Sequence, residues 1–302
     1  MRHRSRHVAL AITAFMAVVA VGCRPSTNPP TPPTPANYVA LGDSYTAGPL
    51  IPLQRVSGIP AGCLQSTNNY PHEVAPDLLD PSLDDASCSG ATTEDMTSPQ
   101  SVTLGPNSPQ FDRLKPETNV VTVGIGGNDI GFAEIAVACA QGGLTDPDGS
   151  PCQDTYVQGV NDTISARIEA LRPKLDAVLD GIHARSPLAK VFVVGYPAIL
   201  PDTGTGCYPV MPITPLDVPY VRAKELELNA TIQQAAIDNG DIYVDAYTPS
   251  IGHDACQATV KWIEPIVPTE PAAPVHPNAR GEAGMAAAVL AAMATNGVAV
   301  QP

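Results

Sequence analysis

The sequence is poor in aromatic residues, in basic residues and in long apolar segments. Among its 302 residues are one Trp and four Phe, and 16 Lys and Arg stand against 30 Asp and Glu, for a formal net charge of −14. A chain this acidic is repelled by phosphate backbones, which argues against a nucleic-acid binder and against a polyanionic substrate. Beyond the N-terminus no apolar run reaches the ~18 residues of a spanning helix, which argues against a multi-span membrane protein.

Closely spaced cysteine pairs are also missing. No cysteine stands two to four residues from another, so a zinc site of the usual kind is not expected. Apart from Cys23, the cysteines form an even set, which in an exported chain indicates disulfides. The sequence alone does not choose their pairing. The six are Cys63, Cys88, Cys139, Cys152, Cys207 and Cys256.

Residues 1–22 have the features of an export signal. Three arginines precede an apolar stretch (8–21) that is too short for a ~30 Å hydrocarbon core. Residues 20–23 resemble a bacterial lipobox, in which the cysteine is lipidated, although Ala20 replaces the usual bulky residue. We therefore expect a lipid on Cys23 that holds the protein at the outer face of the membrane. The alternative is an ordinary cleaved signal and a secreted protein.

A proline-rich segment follows at residues 23–36, with five prolines in eight positions from Asn28 to Pro35. Such a segment is extended in the polyproline II conformation and forms no core. It predicts a linker that leads to one domain over residues 37–302, since neither an internal repeat nor a second linker follows.

From residue 37 onward, short β-rich runs alternate with helical patterns. The runs are apolar without polar alternation, as expected for a parallel sheet that is covered on both faces. They are residues 38–41, 119–123, 191–194 and 241–244, with a weak fifth run before Cys88. This alternation predicts an α/β fold of three layers, α/β/α, with a doubly wound sheet.

Three helices are predicted from apolar spacing. The first extends over residues 157–182, where Pro173 should kink or split it. The second covers residues 218–238. The third begins after Asn278, whose side chain is suited to an N-cap.

Four polar or small residues follow strand ends or precede the last helix. They are Ser44, Gly90, Asn128 and His276. In doubly wound sheets, ligands bind beyond the carboxyl ends of the strands, so we expect these residues to meet at one edge. A histidine can take the proton of a serine, and a glycine N–H and an asparagine amide can hold an oxyanion. The set therefore indicates nucleophilic acyl transfer.

The residues around these positions resemble the signature blocks of the SGNH (GDSL) hydrolases. The blocks occur in the family's order and span nearly all of residues 37–302. They are 40–45, Gly90, 126–129 and His276. Residues 252–256 and 262–265 resemble the secreted three-disulfide lipases and esterases of actinobacterial type.

The resemblance implies the SGNH fold, with a flavodoxin-like parallel sheet and without a metal or organic cofactor. It implies that Ser44 is the nucleophile and His276 the base, with the oxyanion held by the N–H groups of Ser44 and Gly90 and the amide of Asn128. It also implies sequential disulfides, namely Cys63–Cys88, Cys139–Cys152 and Cys207–Cys256. A monomer that hydrolyses acyl esters through an acyl-enzyme is expected.

One position departs from the family pattern. Many members carry an aspartate three residues before the histidine, and this chain has Ala273. Related secreted esterases use a backbone carbonyl, so we expect a Ser–His dyad in which the carbonyl of Ala273 accepts from the imidazole. Glu270, the nearest upstream acid, is the alternative. A carbonyl fixes the tautomer but does not stabilise imidazolium, so His276 should be a weaker base.

Other interpretations of these residues remain open at this stage. Gly-Asp-Ser is also ordinary turn chemistry, Asn128 could cap the following helix, and His253 is a second candidate base. A polysaccharide O-deacetylase, an acyltransferase and a catalytically silent cell-wall-binding lipoprotein are the alternative functions. The scarcity of Trp and Phe offers no clear platform for stacking sugars, which favours esters of lipids or small alcohols.

Overall fold

The computed structural model describes residues 35–79 and 81–301. The predicted export signal, Cys23 and nearly all of the linker lie outside the described residues. By its contacts, the segment 33–302 forms a compact unit of its own, which holds the whole sheet. Within the described part of the chain, no helix is both long enough and apolar enough to cross a membrane.

Five parallel strands form the central sheet, and two short antiparallel strands form a separate hairpin. In chain order they are β1 (Asn37–Gly42), β2 (Ser82–Asp85), β3 (Val120–Gly124), β4 (Val157–Gln158), β5 (Asn161–Asp162), β6 (Lys190–Val194) and β7 (Ile242–Val244). The order across the sheet is β2-β1-β3-β6-β7, in which Gly42 lies opposite Gly124. This is the flavodoxin-like order, and it confirms the predicted parallel α/β sheet.

Helices cover both faces of the sheet. They are α1 (Ser44–Ala47), α2 (Tyr70–Val74), α3 (Phe132–Thr145), α4 (Pro151–Tyr156), α5 (Thr163–Arg185), α6 (Val218–Asp238), α7 (Tyr247–Ser250) and α8 (Ala279–Thr295). The predicted N-cap of α8 is confirmed, because the side-chain oxygen of Asn278 accepts from the N–H groups of Arg280 and Gly281.

Successive residues of one strand enter different cores. In β1, Val39 and Leu41 belong to the core that α5 and α6 cover, whereas Tyr38 and Ala40 belong to the core that α2 and α8 cover. Side chains alternate between the faces of a strand, so both sets must be apolar when both faces are covered. This is why the strands appear in the sequence as continuous apolar runs.

The prediction that one helix covers residues 157–182 is wrong at its N-terminal end. Val157 lies in β4, which a tight turn joins to β5. Gly159 allows this turn, because it has φ +65° and carries no side chain. The helix α5 begins only after Asp162, whose carboxylate accepts from the N–H groups of Ile164 and Ser165. Of the two outcomes expected at Pro173, splitting does not occur, since the helix continues to Arg185; its apolar stripe is buried along its length.

Candidate active site

The turn after β1 presents Ser44 at the carboxyl edge of the sheet. Asp43 caps the short helix α1, its carboxylate accepting from the N–H of Tyr45 at 2.9 Å. Ser44 is the first residue of that helix. A Cβ atom on Gly42 would lie 2.1 Å from the Thr46 hydroxyl oxygen, so only glycine fits where the chain turns.

The structure brings His276 to Ser44, although the two are 232 positions apart. Nε2 of the imidazole lies 2.8 Å from Oγ of Ser44. Nδ1 lies 2.7 Å from the carbonyl oxygen of Pro274. A carbonyl only accepts, so Nδ1 carries the proton and Nε2 is free to accept from the serine hydroxyl.

The carbonyl beside the imidazole is therefore that of Pro274, and the expectation for Ala273 is corrected. The Ala273 carbonyl accepts from the backbone N–H of His276 at 3.2 Å. Between them, Val275 has φ +61°, and this left-handed residue turns the Pro274 carbonyl toward the ring. The alternative partner, Glu270, pairs with Arg280 at 2.9 Å. Sequence spacing does not reveal such a turn, because valine rarely adopts it.

The surroundings of His276 favour the neutral imidazole. Burial lowers the pKa of His276, and the Pro274 carbonyl only partly opposes this shift. The ring of Tyr45 packs against the imidazole, with ring centroids 4.9 Å apart. The Tyr45 hydroxyl donates to the Val275 carbonyl at 2.6 Å, which fixes the turn that carries the histidine.

A buried chain of hydrogen bonds links the nucleophile turn to the loop after β3. The Tyr196 hydroxyl donates to Asp43 at 2.5 Å and accepts from the N–H of Gly127 at 2.8 Å. Burial raises the pKa of Asp43 to about 7, and the bonds from Tyr196 and Tyr45 partly oppose the rise. Sequence reasoning missed Tyr196. Its position directly beyond β6, at the edge where the other site residues lie, was the available signal.

Three potential oxyanion donors lie on neighbouring loops. Among the described residues, no hydrogen-bond acceptor is found for the backbone N–H of Ser44 or of Gly90. The side-chain amide of Asn128 donates one hydrogen to the carbonyl of Ala91 at 2.9 Å, which leaves its second hydrogen available. Asn128 is not the cap of the following helix, because Gly131 occupies that position.

The carboxylate of Asp129 holds together the loops of Gly90 and Asn128, two of the potential oxyanion donors. Asp129 accepts from the N–H of Thr93 at 2.9 Å and from the Thr93 hydroxyl at 2.6 Å, and Lys174 lies 3.2 Å from the same carboxylate. The loop of Gly90 is thereby fixed to the loop of Asn128.

His253, the second candidate base, is placed elsewhere. Its Nδ1 lies 2.6 Å from the Val260 carbonyl, and its ring stacks on Trp262 at 4.8 Å. Its contacts are thus those of a structural residue in a braced loop.

The structure contains three disulfides, in the pairs that the resemblance implied. They are Cys63–Cys88, Cys139–Cys152 and Cys207–Cys256. The first joins the loop after α1 to the segment just before Gly90, so it braces the candidate site directly.

An apolar cavity extends inward from Ser44. Its wall is mostly aliphatic and aromatic, with Ile130, Phe132, Ile135, Leu200, Met211 and Ile213 among its residues. Glu225 also lines it, and burial raises the pKa of its carboxyl well above the usual value. In the described part of the chain, no group of three or more His, Cys, Asp or Glu residues is arranged to hold a metal ion.

Comparison with known proteins gives consistent results. The profile of the GDSL-like lipase/acylhydrolase family matches residues 40–283. The chain is 40% identical to Lipase 2 of Streptomyces coelicolor over 289 residues, which are 93% of this chain and 95% of that protein.

Two solved structures share the fold. An extracellular lipase from Streptomyces rimosus has a TM-score of 0.70 and 27% identity, with 86% of this chain and 99% of that chain covered. Phospholipase A1 from Streptomyces albidoflavus NA297 has a TM-score of 0.68 and 30% identity, with 86% and 98% covered.

Proposed function

The chain belongs to the GDSL-like lipase/acylhydrolase family and is a carboxylic ester hydrolase, and we propose that Ser44 and His276 form its catalytic dyad. The observation that carries the proposal is the 2.8 Å contact between Oγ and Nε2, with Nδ1 turned to a carbonyl. Nucleophile and base are thus within hydrogen-bond reach, and the base is oriented by a third group.

The reaction proceeds in two steps through an acyl-enzyme. His276 takes the proton of Ser44 as its Oγ attacks the ester carbonyl carbon, and the carbonyl oxygen becomes an oxyanion. The N–H groups of Ser44 and Gly90 and the amide of Asn128 stabilise this charge; removing one such donor costs ~10²–10³ in rate. His276 then protonates the leaving alcohol. Water attacks the acyl-enzyme in the same way and releases the acid.

The cavity supports esters with a sizeable acyl chain as substrates. Its wall is mostly apolar, so an alkyl chain bound there leaves water for a largely apolar environment. An acetyl group would fill little of this space, which favours a lipase over a polysaccharide deacetylase. The structural similarity to a phospholipase A1 places glycerophospholipids among the substrates to be tested.

The disulfides and the similarity to a lipase described as extracellular indicate an extracellular protein. We propose that a lipid on Cys23 holds it at the outer face of the membrane and that it acts as a monomer. Mass spectrometry of the protein from its native host should find a diacylated Cys23 at the N-terminus, whereas an unmodified N-terminus would disprove the anchor.

A chain-length series of p-nitrophenyl esters tests the activity and the dyad together. Residues 33–302 form their own compact unit and serve as the enzyme. We expect turnover that is lost in Ser44→Ala and in His276→Ala but kept in Ser57→Ala, an exposed serine. A preference for medium or long chains supports the lipase assignment. Full activity in Ser44→Ala would disprove the dyad, and a strict preference for acetate would disprove the acyl-chain role of the cavity.

A further inference from the structure

Five large apolar side chains are exposed on two loops beside Ser44. The loop 48–69 follows α1, and the loop 97–110 follows the segment of Gly90. The five, which we call the apolar rim, are Leu50, Leu53, Val56, Leu64 and Leu104. Val56 is 86% exposed, Leu104 82% and Leu53 73%. Single exposed apolar residues are common, but a group of them at the entrance to a site usually marks an interaction surface.

Backbone contacts place both loops at the catalytic edge. Ser89, next to Gly90, donates its N–H to the Cys63 carbonyl at 2.9 Å. The two loops touch each other, because a Cβ atom on Gly62 would lie 2.1 Å from the Thr103 carbonyl oxygen. The Pro49 carbonyl accepts from the N–H of Ala273 at 3.0 Å, three residues before His276. These contacts place the parts of the two loops around Pro49, Cys63 and Thr103 beside the segments that carry Gly90 and His276.

Three of the rim residues combine exposure with an unfavourable backbone. Leu50, Leu64 and Leu104 have φ of +64°, +50° and +59°. In the described part of the chain, Val275 is the one other non-glycine residue with positive φ. Side chains other than those of glycine and asparagine are disfavoured in this region, because the Cβ atom approaches the following carbonyl oxygen. Leu104 is almost fully exposed and gains little from packing, so its strain points to a functional requirement.

The rim is also nearly free of charge, although the chain has a net charge of −14. The loop 97–110 contains no Asp, Glu, Lys or Arg, and the loop 48–69 contains Arg55 alone. A surface that enters an apolar layer must not carry charges, because their desolvation is costly. The rest of this acidic chain is repelled by an anionic surface, so a neutral one is the complementary partner.

We propose that the apolar rim docks on a neutral, zwitterionic lipid surface and so holds the catalytic edge against it. The cavity is lined by Ser44 and Val275, and the backbone of the loop 48–69 contacts the segment that leads to Val275 through the bond from Ala273 to Pro49. This surface goes beyond the proposed function and concerns binding alone, which makes it testable without catalysis.

Binding to phosphatidylcholine vesicles tests the proposal. The chain 33–302 carries Ser44→Ala throughout, so that failure of the ester hydrolysis proposal does not affect the result. The rim variant is Leu53→Ser with Leu104→Asn. The matched control is Leu188→Ser with Ile237→Ser, which are also exposed but lie just before β6 and at the end of α6, on the opposite edge of the sheet. Sedimentation with the vesicles gives the partition coefficient.

We expect the rim variant to bind about 10-fold or more weakly than the control, since each leucine withdrawn from lipid loses apolar burial. Added salt should not weaken the binding, and phosphatidylglycerol vesicles should bind less protein. Leu104→Asn alone should weaken binding while the melting temperature stays equal or rises, because asparagine tolerates a positive φ. If Leu104 had a purely structural role, this substitution would lower both the vesicle binding and the melting temperature.

Three results would overturn the proposal. One is equal vesicle binding by the rim variant and the control. Another is binding that disappears with added salt, which would indicate charge attraction. The third is self-association that the control retains and the rim variant loses, which would make the rim an interface between two copies of the chain. Without Ser44→Ala, the rim variant should hydrolyse p-nitrophenyl acetate at an unchanged rate.

Discussion

At the residue scale, His276 is proposed to act as the base without a carboxylate partner for its imidazole. Its Nδ1 donates to the Pro274 carbonyl, which sets the tautomer but adds no full negative charge. Burial opposes the charged imidazolium as well, so the pKa of His276 lies below its usual value. The base is therefore weak but unprotonated over a wide range of pH. The oxyanion donors must then provide much of the stabilisation of the transition state.

The acid limb of the pH–activity profile should reflect this pKa. We expect kcat/KM with p-nitrophenyl acetate to fall only at a pH below the ordinary histidine pKa of about 6.5, because His276 must lose its proton to act. Glu270→Gln should leave the limb in place, since Glu270 pairs with Arg280. A limb at or above 6.5, or one that moves in the Glu270 variant, would contradict the assignment.

Asp43 should make the protein less stable as the pH rises. Burial raises its pKa to about 7, so between its usual value and about 7 the folded protein holds a proton that the unfolded chain releases. The free energy of unfolding therefore decreases as the pH rises through this interval. In Asp43→Asn this contribution should be absent.

Urea denaturation of both proteins at about pH 5 and about pH 8 measures the difference. From about pH 5 to about pH 8, the free energy of unfolding should decrease less in the variant than in the parent, because the variant lacks the contribution of Asp43. Other carboxyl groups whose pKa is raised by burial contribute equally to both proteins. Identical decreases would show that Asp43 does not titrate in this range.

At the element scale, the start of α8 serves both folding and catalysis. Asn278 caps the helix through its oxygen and donates from its amide to Glu264 at 2.7 Å. The backbone N–H of Glu264 in turn donates to the His276 carbonyl at 2.9 Å. The buried carboxylate of Glu264 also accepts from the N–H of Thr269, and these bonds hold its pKa below the usual value. The cap and the catalytic turn form one connected structure.

Asn278→Ala should therefore lower both stability and activity. Loss of an N-cap costs ~1–2 kcal/mol, and here it also releases the turn that carries His276. Asp162→Ala is the matched control, because it removes the N-cap of α5 without touching that turn. At a temperature where both variants are folded, the Asn278 variant alone should lose kcat. Equal kcat in the two variants would contradict the link.

At the scale of the whole molecule, three disulfides constrain the described part of the chain, which is built around the five-stranded sheet. They close segments of 25, 13 and 49 residues. In the chain-entropy model, a disulfide stabilises by restricting the unfolded chain, from ~3 kcal/mol for the shortest segment to ~4 kcal/mol for the longest. Each of the three disulfides should therefore contribute to the free energy of unfolding, and the contributions should differ.

When both cysteines of one disulfide are replaced by serine, the melting temperature should fall further the longer the segment that the disulfide closes. The Cys207–Cys256 variant should be the least stable and the Cys139–Cys152 variant the least affected. The Cys63–Cys88 variant should in addition lose activity while still folded, because this bond braces the segment before Gly90. Thermal unfolding followed through the single Trp, and turnover below the transition, give both values. Equal melting temperatures would contradict the model.

Much of this protein could be derived from the sequence, because the relevant signals are local. An apolar run before a glycine predicts a strand, and Asn278 before an apolar helix predicts a cap. Local signals failed for Val157, where the apolar spacing of a helix continued by chance into a hairpin. They also failed for Tyr196, whose partners Asp43 and Gly127 are remote in the chain.

The sequence by itself determined the element types, the alternation that leads to a parallel sheet, the even set of six cysteines that follows Cys23 and the residues that follow each strand. Those properties depend on side-chain periodicity and backbone preference within a few residues. Only the tertiary structure decided that Pro274 rather than Ala273 faces the imidazole, and that the loops 48–69 and 97–110 meet beside the segment that carries Gly90. Both depend on how distant loops close on one another, and a left-handed valine or leucine is a conformation that only such closure imposes.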